Sequence, residues 1–239
     1  MAEASAPTFL MAGGRGMKMR KGPDPLLHEV FRRTNVQRPT VAYVGAASGD
    51  STEFQLWIAS LLQKAGAGEV TLAPLCGRRG DAKKAKTVIE SSDLVFLSGG
   101  DVEEGLRVLN EKGMVAVLRR LHRTGKVFFG MSAGSIMLAQ QWVRWRDPAH
   151  DASSELFDCL GLADVLCDTH GEDDAWEELQ ALLALSAKGT IGYGIVSGTA
   201  IVVETDGTVS ALGGEVHRFQ KQTSGVMQVE SLFPDKRAR

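Results

Sequence analysis

Between Lys126 and Ala139 the chain reads KVFFGMSAGSIMLA. Val127, Phe128 and Phe129 form a short β-type run, Gly130 to Ser135 are almost all small, and Ile136-Met137-Leu138 begin an apolar run of helical character. Strand, tight turn and helix follow in that order. Gly130-Met131-Ser132-Ala133-Gly134 fits the pattern G-x-S-x-G in the setting that the pattern requires. A sharp turn leaves little room around its tip, so the positions two before and two after the serine must be small. A helix starting there offers free backbone N–H groups and the positive end of a dipole, both suited to a developing oxyanion. Ala133, directly after the serine, supplies one such N–H. The same residues also allow a plainer reading, a glycine-flanked strand end with Ser132 as a helix cap.

The alternation continues in both directions. Short runs rich in Val, Leu, Ile or Phe predict strands over residues 8–12, 40–44, 69–73, 94–97, 126–129, 163–168 and 189–195. Amphipathic segments lie between them. Over 53–65, Phe54, Trp57, Ile58, Leu61 and Leu62 recur at helical spacing. Continuous apolar strands alternating with helices predict an α/β fold, a three-layer sandwich with a central, mostly parallel sheet flanked by helices. TAIVVETDGTVSALGG, residues 199–214, predicts a C-terminal β-hairpin turning at Asp206-Gly207. There is no internal repeat and no low-complexity linker, so one domain over 1–239 is expected, with 234–239 frayed. In such sheets ligands gather where the loops converge at the carboxyl ends of the strands. Those loops read GGRGMKMR, GAASGDS, SGGDVEEG, GMSAGS and THGEDD.

Composition narrows the function classes. The 239 residues are 44% hydrophobic and 23% charged, ordinary for a globular protein, and the net charge of −2 offers no basic face for nucleic acid. No apolar run approaches the ~20 residues of a membrane span. The first residues, MAEASAPTFLMAGG, lack a positive leader before an apolar stretch, so no secretion signal is expected. Three widely spaced cysteines (Cys76, Cys159, Cys167) argue against a disulfide framework and a CxxC metal site, and favour a reducing, cytoplasmic setting.

FLSGGDVEEGLRVL (96–109) followed by FFGMSAGSIMLA (128–139) resembles the serine peptidase family of dipeptidase E (aspartyl dipeptidase) and cyanophycinase. The likeness is strongest over 94–214. It implies a fold like that of class I glutamine amidotransferases, with serine in place of their cysteine. It also implies that the double-glycine loop lies beside the serine and that the Gly100 N–H completes an oxyanion hole with Ala133. Only glycine lets backbone approach a reacting carbonyl so closely. The alternative for Gly99-Gly100 is an ordinary βα turn. Gly99 and Asp101, on the same loop, are assigned as substrate contacts.

A serine hydroxyl needs a base, and histidine is the usual one near neutral pH. Of five histidines, His28 and His122 fall in amphipathic helices, His150 in the polar loop RDPAHD and His217 in a late strand, EVHRF. His170 ends the run ADVLCDTH at the carboxyl edge of the sheet, and the resemblance assigns it as the base, with His217 second. The family's third residue, a carboxylate, belongs in a segment like G-I-G-x-x-E-G-T-A. Here Gly192 to Ala200 read GYGIVSGTA, with Val196 and Ser197 where the acid would stand. Three substitutes are open: Glu172, Asp173 or Asp174 beside His170; Glu204 or Glu215 from the hairpin; or a Ser–His dyad whose ring is oriented by Ser197 or water. The dyad with Ser197 ranks first.

Aspartyl dipeptidases select acidic side chains, which requires a cation. Arg144 and Arg146 in QWVRWRDP are the assigned candidates, with Arg15, Lys18 and Arg20 as others; Trp142 and Trp145 fit a pocket rim or the core equally well. GGRGMKMR fits neither nucleotide-loop pattern, Ser48 reads as a turn, and Asp101, Glu103 and Glu104 suit a helix start without a metal. The expectation is therefore a serine-type exopeptidase or dipeptidase acting on small peptides. It would need no cofactor or metal and would engage neither nucleic acid nor membrane. The resemblance is compatible with a homo-oligomer, a dimer. The alternatives are a catalytically silent binding or regulatory protein, motivated by the missing acid, and an amidotransferase-like domain, weakened by the absent thiol. The order serine then histidine also disfavours an ordinary α/β-hydrolase, where the acid comes between them.

Overall fold

The computed structural model describes residues 6–13, 22–147, 149–150 and 153–235. In chain order the strands are β1 (Thr8–Met11), β2 (Val41–Val44), β3 (Val70–Ala73), β4 (Leu94–Leu97), β5 (Val127–Met131), β6 (Gln141–Trp145), β7 (Ser154–Asp158), β8 (Leu166–Thr169), β9 (Ile191–Ile195), β10 (Ala200–Val203), β11 (Val209–Leu212), β12 (Val216–Gln222) and β13 (Gly225–Leu232). The helices are α1 (Pro25–Arg32), α2 (Thr52–Lys64), α3 (Ala82–Ser91), α4 (Val102–Glu111), α5 (Met114–Arg123), α6 (Ala133–Leu138) and α7 (Glu177–Ala184).

Seven strands form the main sheet in the order β11-β10-β1-β5-β4-β2-β3. From β1 to β3 all neighbours run parallel, while β10 and β11 pair antiparallel at one side. Every residue of β1, β2, β4 and β5 is buried, which is why these strands read as unbroken apolar runs. Their side chains alternate between two cores. Phe9, Tyr43, Phe96 and Phe129 face Leu27, Val30, Ile58 and Leu62 of α1 and α2. Leu10, Val44, Leu97 and Phe128 face Ile89, Leu109, Leu118 and Ile136 of α3, α4, α5 and α6. Four helices begin on carboxylate or hydroxyl caps, with Asp24, Ser51, Asp81 and Asp101 accepting from amides of the first turn.

The predicted helix over 53–65 is α2, and the 199–214 hairpin is β10–β11, which rejoins the main sheet beside β1. One expectation needs correction. The strands read at 163–168 and 189–195 do not extend the central sheet. They are β8 and β9, the parallel pair of a second, four-stranded sheet in the order β13-β12-β9-β8. Residues 163–165 instead turn against the end of α6, where the Ala163 N–H donates to the Leu138 carbonyl and Gln140 N–H to that of Val165. On β9, Gly192 and Gly194 clear the floor for what packs above. A Cβ at Gly192 would lie 2.8 Å from Leu179, and one at Gly194 2.8 Å from the buried Trp176 ring. β6 and β7 make a separate two-stranded ribbon. Of GGRGMKMR, residues 14–20 lie outside the described residues with Arg15, Lys18 and Arg20, as do 236–239 of the tail called frayed.

Candidate active site

β1, β5 and β4 are neighbours, and their carboxyl ends carry the site. Ser132 follows β5 directly with φ 54° and ψ −125°, a backbone state that costs a non-glycine residue about 1–3 kcal/mol. Its surroundings fix it there. The Ser132 N–H donates to the Met11 carbonyl at 2.9 Å, and its own carbonyl accepts from Ser135 N–H at 2.8 Å. The buried Ser135 hydroxyl accepts from Met11 N–H at 2.8 Å and donates to the Met11 carbonyl at 2.9 Å, stapling β1 to the turn. The flanking glycines are required by contact. A Cβ on Gly130 would sit 2.5 Å from the Gly134 backbone, and one on Gly134 2.1 Å from the Leu97 carbonyl oxygen.

The double-glycine loop after β4 lies against the serine. A Cβ on Gly99 would be 3.2 Å from Ser132 Cβ and 3.7 Å from its Oγ. Gly100 has φ 143°, and a Cβ there would fall 1.9 Å from the Ala47 carbonyl oxygen. Two further contacts pin this loop to the one after β2: Asp101 N–H donates to the Ala47 carbonyl at 2.9 Å, and the hydroxyls of Ser48 and Ser98 lie 3.0 Å apart. The Gly100 and Ala133 amides donate to no described residue.

His170 arrives from the second sheet. Its N–H donates to the Ile195 carbonyl, extending the β8–β9 pairing by one residue, and its φ of 49° turns the chain at that point. Its Nε2 stands 2.8 Å from Ser132 Oγ, within reach for proton transfer. With the imidazole proton on Nδ1, the hydroxyl donates to Nε2. A cavity of about 840 Å³ opens over the pair, bounded by Ser48, Ser51, Phe54 and Trp57 on one side and Glu172, Asp173 and Ser197 on another. Ser197 contributes its backbone: its N–H donates to Glu172 Oε1 at 2.6 Å. A carboxylate thus stands at the loop where the acid was sought, delivered from the His170 side. Among the described residues no carboxylate hydrogen-bonds to the His170 ring.

Other assigned residues lie elsewhere. Asp101 caps α4, accepting from Glu104 N–H at 2.8 Å, and does not line the cavity. Arg144 and Arg146 do not line it either. α6 has only six residues, after which the chain leaves into β6. There Arg144 pairs with Glu155 at 2.7 Å and Glu103 at 3.4 Å, and Arg146 pairs with Glu155. Trp142 is buried, and Trp145 packs against the core. His122 is buried against Thr8 Oγ1 at 2.9 Å, where burial lowers its proton affinity. His217 packs edge-on against Trp176, and His150 pairs with Asp147. Burial pushes the Cys76 thiol up to about 11 and Cys159 to about 12, with Cys167 raised well above its ordinary range, so none offers a thiolate near neutral pH. Sequence reasoning missed the cavity roles of Phe54 and Trp57, which share the apolar periodicity of the buried Ile58 and Leu62. Among the described residues no group of three or more His, Cys, Asp or Glu could hold a metal, and no helix is long and apolar enough to cross a membrane.

The architecture is that of solved peptidases. A peptidase from an acI-B1 actinobacterium superposes with a TM-score of 0.72 over 98% of both chains at 17% identity. A protein described as a peptidase E from Listeria monocytogenes gives 0.62 over 87% of this chain and 98% of its own, at 18% identity. The profile of peptidase family S51 matches residues 9–211, and the chain belongs to that family. It is also similar to a cyanophycinase from Nostoc sp., 24% identical over 219 residues, covering 88% of this chain and 72% of that protein. A further relative is the pyridoxal 5'-phosphate synthase subunit PdxT of Geobacillus stearothermophilus, 26% identical over 174 residues, covering 73% and 84%.

Proposed function

We propose that the protein is a serine exopeptidase that hydrolyses dipeptides or similarly small peptides. The observation that carries this reading is the 2.8 Å approach of Ser132 Oγ to His170 Nε2 with Gly99-Gly100 packed against the serine. As His170 takes its proton, Ser132 Oγ attacks the scissile carbonyl. The oxyanion accepts hydrogen bonds from the N–H groups of Gly100 and Ala133. His170 then gives the proton to the departing amine, leaving an acyl-serine. A water molecule, deprotonated by His170, releases the acid product and restores the hydroxyl. Glu172, two residues from His170 and tied to the Ser197 amide, offsets the imidazolium charge that forms in between, in place of a directly bonded acid. Ser197 contributes to this arrangement through its amide.

The test is intact-mass spectrometry after exposure to a fluorophosphonate. One adduct is expected on the native protein and none on Ser132→Ala, with labelling by His170→Ala slowed by about 10³-fold or more. No adduct after hours would favour the second reading, a binding protein that keeps the fold. The observation on its side is that no described carboxylate hydrogen-bonds to His170.

A further inference from the structure

The cavity over Ser132 has two walls of opposite chemistry. On α2, Phe54 and Trp57 stack with centroids 5.6 Å apart and planes 24° from parallel. Trp57 is 40% exposed, although Ile58 beside it is fully buried. An indole held out of the core, stacked on a phenyl ring and facing a cavity, is apolar surface that a bound group would remove from water. Facing it, Glu172 and Asp173 supply two carboxylates. Apart from His170 they are the charged side chains among the described lining residues. Gly99, Gly100 and Ser132 also line the cavity, together with Met131 and Ala12. The volume, about 840 Å³, is in the range that encloses small organic ligands.

Resting on the exopeptidase reading, we infer that the site selects short peptides with a free α-ammonium group and an aromatic or large aliphatic side chain. That side chain lies over Phe54 and Trp57, and the ammonium faces Glu172 and Asp173. The charge complementarity argues for this occupant. Among the described lining residues an acidic side chain would meet like charge at one wall and apolar surface at the other, whereas an ammonium and an aromatic ring each find their match. Reading the free amine also explains why such an enzyme would act at a peptide's end.

The experiment uses the full chain carrying Ser132→Ala, which binds without turnover, and measures dissociation constants by calorimetry for Phe-Ala, Leu-Ala, Asp-Ala and N-acetyl-Phe-Ala. Phe-Ala and Leu-Ala are expected to bind at least tenfold more tightly than Asp-Ala. Acetylation should weaken Phe-Ala by tenfold or more. Adding Trp57→Ala should remove most of the preference for Phe-Ala over Asp-Ala, and adding Asp173→Asn should weaken Phe-Ala while sparing the acetylated peptide. Equal or tighter binding of Asp-Ala, indifference to acetylation, or no binding of any dipeptide would overturn the inference. Fluorophosphonate labelling of the native protein separates the two ideas. Labelling without the preference sinks the substrate class and leaves the serine mechanism standing; the preference without labelling does the reverse.

Discussion

Ser132 is held in its unusual backbone state by groups that are not its own, and Gly100 is tied to the same machinery. A methyl at Gly100 would collide with the Ala47 carbonyl oxygen at 1.9 Å, so the loop must move to accept it. Gly100→Ala is therefore expected to lower kcat/KM by about 10²–10³, the scale of a lost oxyanion donor. Steady-state kinetics on a dipeptide checks this, with circular dichroism showing that the fold survives. Glu172→Gln keeps the shape and an acceptor for Ser197 N–H but removes the charge. It should reduce kcat by about tenfold and change KM less, since the charge matters most once His170 is protonated. An unchanged kcat would remove Glu172 from the mechanism. The serine and the glycines around it were legible because they lie within a few residues of one another and obey one steric rule. The Glu172–Ser197 contact was not, because it joins residues 25 apart through a loop whose path no local pattern specifies. The cavity roles of Phe54 and Trp57 were not legible either, because periodicity shows that a helix has an apolar face, not how much of that face the core covers.

At the scale of elements, the turn and strand β1 behave as one unit through Ser135. Ser135→Ala would strand the Met11 N–H in the interior, while the Met11 carbonyl keeps the Ser132 N–H as its donor. It should cost about 1–3 kcal/mol of unfolding free energy, read from the urea midpoint. Gly194→Ala acts on another joint, pressing a methyl into the Trp176 ring at 2.8 Å. Overpacking of that kind costs about 1–3 kcal/mol, and it should also shift the fluorescence of Trp176. The buried strands β1, β2, β4 and β5 and the capped helices were readable because burial on both faces and capping leave local marks. β13 and the β6–β7 ribbon were not, since half-exposed strands mix polar and apolar residues. Assigning β8 and β9 to the main sheet failed for a related reason. Apolar runs announce strands, while the choice of neighbour is made by contacts distant in sequence.

For the molecule as a whole, one buried carboxyl links folding to pH. Asp168 is 5% exposed; its Oδ1 accepts from Thr169 N–H at 2.6 Å, and its Oδ2 has no partner among the described residues. Burial raises its proton affinity to about 7, opposed by the Thr169 N–H and aided by the negative charges of Glu178 and Asp174. The unfolded chain would release that proton near pH 4. Between these values the folded state binds more protons than the unfolded one, so stability falls as pH rises from about 4 to about 7 and levels off above. The span corresponds to on the order of 4 kcal/mol. Urea midpoints taken from pH 5 to 8 should decline, and Asp168→Asn should flatten that decline and be the more stable protein at pH 8.

Ser132 and His170 are carried by different sheets, which gives the pair a distinct way to fail. Four residues of β8 and five of β9 hold His170 in place. Loosening of this smaller unit would part the proposed base from the proposed nucleophile while the seven-stranded sheet stood intact. On gentle heating, turnover would fade at temperatures where far-ultraviolet ellipticity still looks native, and it would return promptly on cooling. The catalyst would then be a reversible thermometer of its own lesser half.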